Sequence, residues 1–245
     1  MSRGTLRQIL LLTDGCSNTG EDPIAMAALA KEEGITINVI GVIEQGQMSE
    51  QGIQEVEGIA MAGGGVSQIV YTQQLSQTVQ MVTRKGMTQT IQGVVSKELE
   101  GILGKETSME DLEPEKRGQV TEVVDELGET MDLDILILVD TSASMKSKLP
   151  MVQEALTDLS VSLNARTGDN QFSVYSFPAK RKSIERRLNW TPKLETLTGV
   201  FDKLSSGGVT PTGPALQEAL NAFRKRMKKK EQPIDEGIYL EEPGM

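Results

Sequence analysis

Two short stretches, Gln8-Ile-Leu-Leu-Leu-Thr13 and Asp134-Ile-Leu-Ile-Leu-Val-Asp140, are apolar at every interior position. A strand with one solvated face alternates apolar and polar residues. A run without alternation belongs to a strand covered on both faces, which points to a parallel sheet between two layers of helices. The residues after the first run fit that reading. Asp22-Pro23 supplies an N-cap and a first helical position for an Ala-rich helix that Gly34 closes. Ile35 to Val42 is expected as a second buried strand, Ser49 to Ala62 as a helix ended by Gly63-Gly64-Gly65, and Gln68 to Tyr71 as a short strand. After the second run come an expected helix over Leu149 to Ala165, a strand over Gln171 to Phe177, an edge strand over Ile184 to Asn189 and a helix over Lys193 to Leu204. A turn, Gly207-Gly208-Val209-Thr210-Pro211, then leads into a helix ending in the basic run Arg224 to Lys230. This alternation gives an α/β fold with a doubly wound, mostly parallel sheet.

The middle of the chain differs in kind. Residues Val79, Val82, Ile91, Val94, Val95, Leu99, Ile102 and Leu103 have helical spacing, interrupted by Gly86, Gly93 and Gly101. Ser108 with Asp111 resembles a capping pair, and Pro114 is placed to open a helix carrying Val120, Val123, Val124 and Leu127. The stretch from Glu106 to Asp134 is strongly acidic. Residues 85–130 are therefore read as a helical acidic connector between segments 1–84 and 131–230, with 231–245 as a polar tail. Solvated helix faces are the plain explanation of the connector's charge.

Composition closes off several chemistries. A chain of 245 residues can bury one good core, and with aromatics at 3 % that core must be built from aliphatic residues and Met. The net charge of −10 argues against general nucleic-acid binding. One Cys and no His exclude an internal disulfide, a Cys-based zinc cluster, His-ligated metals and the usual nucleophile–His pairs. Any bound metal must be held by oxygen, which selects hard cations such as Mg²⁺, Mn²⁺ or Ca²⁺. The first residues are too short and wrongly flanked for a signal peptide, and no run reaches transmembrane length. The expectation is a soluble, cytoplasmic protein.

Asp140-Thr-Ser142-Ala-Ser144 follows its strand directly, at the end where open α/β sheets bind ligands. Alternate residues of such a loop can face a common centre and present one carboxylate and two hydroxyls. The same string suits an N-cap and turn cluster for the next helix equally well.

Leu138-Val-Asp140-Thr-Ser142-Ala-Ser144-Met resembles the first metal motif of von Willebrand factor A (VWA) domains, the metal-ion-dependent adhesion site. Gly207-Gly208-Val-Thr210-Pro-Thr-Gly213-Pro-Ala-Leu216 resembles the second, and Leu11-Leu-Thr13-Asp14-Gly15 the third. The likeness is greatest to intracellular prokaryotic VWA domains, including the chelatase type, and to a little-characterised family of endospore-forming bacteria. It implies a Rossmann-like VWA fold and a site made of Asp140, Ser142, Ser144, Thr210 and Asp14. The order departs from the family, because Asp14 precedes Asp140 by more than a hundred residues. Reading 131–230 first, as the N-terminal half, and 1–84 second, as the C-terminal half, restores the usual element sequence. A circular permutation joined by 85–130 explains this; a domain-swapped dimer, or two degenerate half-domains without a site, are the alternatives. Under the permutation, the termini and the run Arg224 to Lys230 are expected opposite the metal face.

The resemblance implies that Ser142, Ser144 and at times Thr210 touch a Mg²⁺-type ion (Mn²⁺ or Ca²⁺ as alternatives), while Asp140 and Asp14 act mainly through water. Neutral hydroxyls leave such an ion able to accept an outside carboxylate. The function expected is capture of an acidic side chain on a protein partner, without catalysis. An AAA⁺ ATPase or assembly complex as partner, and a sporulation context, follow only from the likeness. A metal-assisted phosphoryl hydrolase is the enzymatic alternative, though no phosphate loop or His base is present. Nucleic-acid binding through Arg181, Lys182, Arg186, Arg187 and 224–230 is a third, which predicts steep salt dependence. Cys16, Phe177 and Trp190 are read as packing residues.

Overall fold

In the computed structural model, which describes residues 4–103, 112–179, 182–194 and 209–231, the two apolar runs lie side by side in the middle of one sheet. The strands are β1 (Thr5–Thr13), β2 (Thr36–Ile43), β3 (Gly64–Tyr71), β4 (Asp132–Asp140), β5 (Asn170–Phe177) and β6 (Glu185–Thr191). Their order is β3-β2-β1-β4-β5-β6, parallel throughout except for the antiparallel edge strand β6. The described helices are α1 (Pro23–Glu32), α2 (Glu50–Ala62), α3 (Leu75–Leu103), α4 (Pro114–Thr130), α5 (Leu149–Leu163) and α6 (Thr212–Glu231).

The lack of alternation in β1 and β4 now has its physical reason. Leu10, Leu12, Ile135, Ile137 and Val139 pack with α3, α4 and α5 on one face. Ile9, Leu11, Leu136 and Leu138 pack with α1, α2 and α6 on the other. Successive side chains of a strand point to opposite faces, so both parities must be apolar when both faces are covered. Each fully buried Leu or Ile contributes about 1.5–3 kcal/mol over its exposed state. Strand β6 is covered less, with no fully buried position among its seven residues, as suits an edge.

Local chemistry sets the helix ends. The Asp22 carboxylate accepts the Ile24 N–H at 2.9 Å and Pro23 opens α1; Ser49 accepts the Gly52 N–H at 3.1 Å and caps α2. Gly34 takes φ +71°, the left-handed turn that lets the chain leave α1 for β2.

Two expectations are corrected. Strand β3 begins at Gly64, four residues earlier than read, because Asn38 of β2 accepts the Val66 N–H at 2.9 Å and draws that segment into the sheet. The glycines of the middle section do not interrupt its helix: α3 is continuous over 29 residues and crosses the 84/85 boundary. Gly86 marks a close approach, since a Cβ there would lie 2.5 Å from Asn38 Oδ1. Gly93 and Gly101 face open space, so each costs about 1 kcal/mol of helix propensity without ending the helix. Met87, Ile91 and Val124, all within 85–130, are buried in the first core.

At the amino end of the sheet, Arg226 Nε and Nη2 each donate to a different oxygen of Asp134 at 2.8 Å. The guanidinium lies 4.0 Å over the Trp190 ring, which meets Phe223 edge-on at 5.4 Å. Arg224 pairs with Glu33 at the end of α1. The described part of the basic run thus sits at the opposite end from Asp140, and Trp190 packs against the second core. The Ser108–Asp111 pair, all but the first two residues of the helix expected over 193–204, Gly207-Gly208, Arg181 and most of the 231–245 tail lie outside the described residues. No helix among the described residues is long and apolar enough to cross a membrane.

Candidate metal centre

Strands β1 and β4 are neighbours, but their chains depart in opposite directions. After β1 the chain crosses through α1 on the second-core face to β2; after β4 it crosses through α5 on the first-core face to β5. A crevice opens at such a switch point, beyond the carboxyl ends of the strands. Asp14 follows β1 there, and Asp140 ends β4.

Asp140 is fully buried. One carboxylate oxygen accepts the Thr13 hydroxyl at 2.9 Å and the other the Ser142 N–H at 2.8 Å. Burial pushes its pKa above the ordinary aspartate value; the Ser142 and Thr13 hydrogen bonds oppose that shift and the charge on Asp14 adds to it. From Asp140 a chain of oxygens leads across the crevice. The Ser142 and Ser144 hydroxyls are 3.2 Å apart, and Ser144 donates to Asp14 Oδ1 at 2.8 Å. Asp14 Oδ2 is taken by the Lys148 ammonium, which also donates to the Ser144 carbonyl at 3.0 Å.

Thr210 joins through its backbone. Its N–H donates to Asn18 Oδ1 at 2.8 Å and its carbonyl accepts the Asn18 N–H at 3.2 Å. This two-way clamp ties the segment before α6 to the loop after β1, and Thr210 is buried by it. The same loop is held from α2, where Glu55 accepts the Ser17 N–H at 2.7 and 3.0 Å. Burial raises the Glu55 pKa against that hydrogen bond, and Asp22 raises it further. Cys16 Sγ lies 3.7 Å from the Ser49 hydroxyl.

All five candidate residues therefore lie at one end of the sheet, with Asp140, Ser142, Ser144 and Asp14 linked directly and Thr210 through Asn18. Thr13, Asn18 and Lys148 were not singled out from the sequence. Asn18 carries a weak local signal, as a turn-forming residue just past a strand. Lys148 carries a contrary one, because it stands at the N-cap of α5 where anions are favoured.

The donor set suits a hard cation. Neighbouring ligands of an octahedral Mg²⁺ are separated by ~2.9 Å, given Mg–O distances of about 2.0–2.1 Å. The Ser142–Ser144 hydroxyl spacing of 3.2 Å is close to that edge. Among the described residues there is no group of three or more Asp, Glu, Cys or His able to hold a metal, so an ion here would depend on the hydroxyls.

Gly213, in the first turn of α6, couples this end of the molecule together. A Cβ at that position would lie 1.8 Å from the Glu21 carbonyl oxygen, on the segment leading into α1. Gly213→Ala is expected to force α6 away from that segment and destabilise the fold by about 3 kcal/mol, the upper range for overpacking. Urea denaturation checks this; a change within experimental error would mean that the two segments separate freely.

A family model described as the von Willebrand factor type A domain matches residues 135–234. The chain is 61 % identical over 245 residues to the uncharacterized protein YabS of Bacillus subtilis (strain 168), covering the full length of both. The crystal structure of an uncharacterized protein from Alicyclobacillus acidocaldarius subsp. acidocaldarius DSM 446 superposes with a TM-score of 0.84 at 40 % identity, over 93 % of this chain and 97 % of that one. The shared sheet, the matched segment from β4 to α6 and the full-length likeness to YabS lead to one conclusion: the chain belongs to the von Willebrand factor type A family.

Proposed function

We propose that this protein is a Mg²⁺-dependent protein–protein interaction module that captures a carboxylate of its partner. The observation carrying this reading is the row of oxygens from Asp140 through Ser142 and Ser144 to Asp14, set in the crevice at the switch point. Ser142, Ser144 and Thr210 would hold the ion, with Asp140 and Asp14 beside it through water. The bound ion would supply a free coordination position for a Glu or Asp side chain from outside. Asp140 keeps the Asp140–Ser144 loop wound tightly by accepting the Ser142 N–H, which leaves the Ser142 hydroxyl directed to Ser144. Both Asp140 oxygens are already engaged, which makes it a poor general base and favours binding over hydrolysis. We read the connectivity as permuted, a reading supported by the pairing of β1 with β4 within one sheet. The partner is taken to be another protein in the same compartment, and the cytoplasm is the compartment we infer.

Calorimetric titration of Mn²⁺, standing in for Mg²⁺, tests the proposal on wild type, Asp14→Ala and Asp140→Ala at two protein concentrations. One site in wild type, lost in both variants and independent of protein concentration, is the expected result. A hundredfold excess of metal over its Kd should add about 2.7 kcal/mol to stability. No binding in wild type refutes metal dependence, and concentration-dependent binding replaces the single-chain site with one shared between copies.

A further inference from the structure

Lys148 contradicts its own position. It is the N-cap of α5, with φ −88° and ψ −20° and no side-chain capping bond, where the helix dipole and free N–H groups disfavour a cation. Its side chain is nevertheless only 10 % exposed, drawn in between Asp14 Oδ2 and the Ser144 carbonyl. Asp14 is buried more deeply still, with its side chain 3 % exposed. Its two oxygens are divided, one to the Ser144 hydroxyl and one to the ammonium. A local rule broken at a site, with the compensating charge supplied from 134 residues away, marks a functional arrangement.

We infer that Lys148 is a positioning residue that holds Asp14 back from direct coordination and sets the centre's preference for an anionic partner. The inference rests on the metal-dependent reading above. Charge decides the matter. Two carboxylates, Asp14 and Asp140, would neutralise a divalent ion among these residues. Lys148 adds one positive charge, so the loaded centre is one negative charge short, and an incoming carboxylate supplies it. Without Lys148 the loaded centre is already neutral, and Asp14 is released to take the position that an outside carboxylate would use.

The test uses the full chain, with Mn²⁺ as the metal and acetate as the carboxylate probe, on wild type, Lys148→Met and Lys148→Arg. Three quantities are read: the Mn²⁺ Kd by calorimetry, the number of waters on Mn²⁺ by proton relaxation, and acetate affinity for the loaded protein. Lys148→Met should bind Mn²⁺ about tenfold more tightly, the scale of one unit charge removed from a partly buried site. It should also lose a metal-bound water and bind acetate about tenfold more weakly, while Lys148→Arg stays near wild type. Should Lys148→Met fail to fold, Lys148→Gln enters the same titrations with the same outcomes. Wild type that binds Mn²⁺, paired with a neutral variant within twofold of it in both affinities, overturns the role of Lys148 alone. Wild type that binds no Mn²⁺ overturns this role together with the reading it rests on.

Discussion

Asp140→Asn should melt at a higher temperature than the wild-type protein when both are free of metal, and should gain nothing from added Mn²⁺. Asp140 is fully buried, and its folded-state pKa lies above its ordinary value because burial penalises the charge. Above the ordinary aspartate range the folded protein therefore retains a proton that the unfolded chain has released. Stability falls as pH rises through that window, and at neutral pH the ionised carboxylate is a net cost to the fold. An Asn side chain removes the charge while its oxygen still accepts the Ser142 N–H, and the Thr13 hydroxyl can accept from its amide. A gain of about 3 °C corresponds to roughly 1 kcal/mol in a protein of this size. Wild type should regain the deficit on binding Mn²⁺ and rise by about 5–10 °C at a hundredfold excess over Kd. Melting curves across about pH 4 to 7, with and without Mn²⁺, check both halves, since the asparagine variant should also lose this carboxylate's share of the pH slope. A variant that is less stable than wild type at neutral pH would mean that the Thr13 and Ser142 bonds outweigh burial.

Removing Arg226 should do the reverse, damaging the fold while sparing metal binding. Its side chain is 14 % exposed and its partner Asp134 4 %, with two parallel hydrogen bonds and a stacked Trp190. Breaking a buried pair by deleting one member leaves a desolvated charge, and Arg226→Ala should cost about 3 kcal/mol. Replacing both partners with apolar residues should recover much of that loss, because the desolvation of both charges then disappears. The pair sits at the amino end of the sheet, so the Mn²⁺ Kd should stay within twofold of wild type. Urea midpoints and calorimetry on the two variants separate these effects. A tenfold change in Kd would show that the two ends of the sheet are energetically coupled.

What could be read from residues alone was what local chemistry dictates. Leu10 and Leu12 belong to one core and Ile9 and Leu11 to the other, and that division is implicit in a strand without polar alternation. Asp22 and Ser49 act on N–H groups two and three residues away, so their capping is visible in sequence. Asp140, Ser142 and Ser144 share one loop and could be proposed from it, whereas Asp14 and Thr210 required the family likeness. Contacts created by tertiary packing were out of reach. Gly86 reads as an interruption of its helix until Asn38 is seen beside it, and nothing local shows that Asn38 accepts the Val66 N–H. Lys148 was missed for the same reason: its partner comes from another segment, and its own position argues for an anion.

The interleaving of the sheet also bears on how the chain is made. β1 is a central strand, yet its neighbour β4 lies more than a hundred residues further along, and Thr210 further still. During synthesis at about 5–20 residues per second, Asp14 precedes Thr210 by on the order of 10–40 s. Throughout the first part of that interval β1, β2 and β3 have emerged with the apolar edge of β1 unpaired, the kind of surface that recruits holding chaperones or other nascent chains. A polypeptide truncated before β4 carries that edge permanently, so premature termination yields a sticky fragment in place of a harmless one.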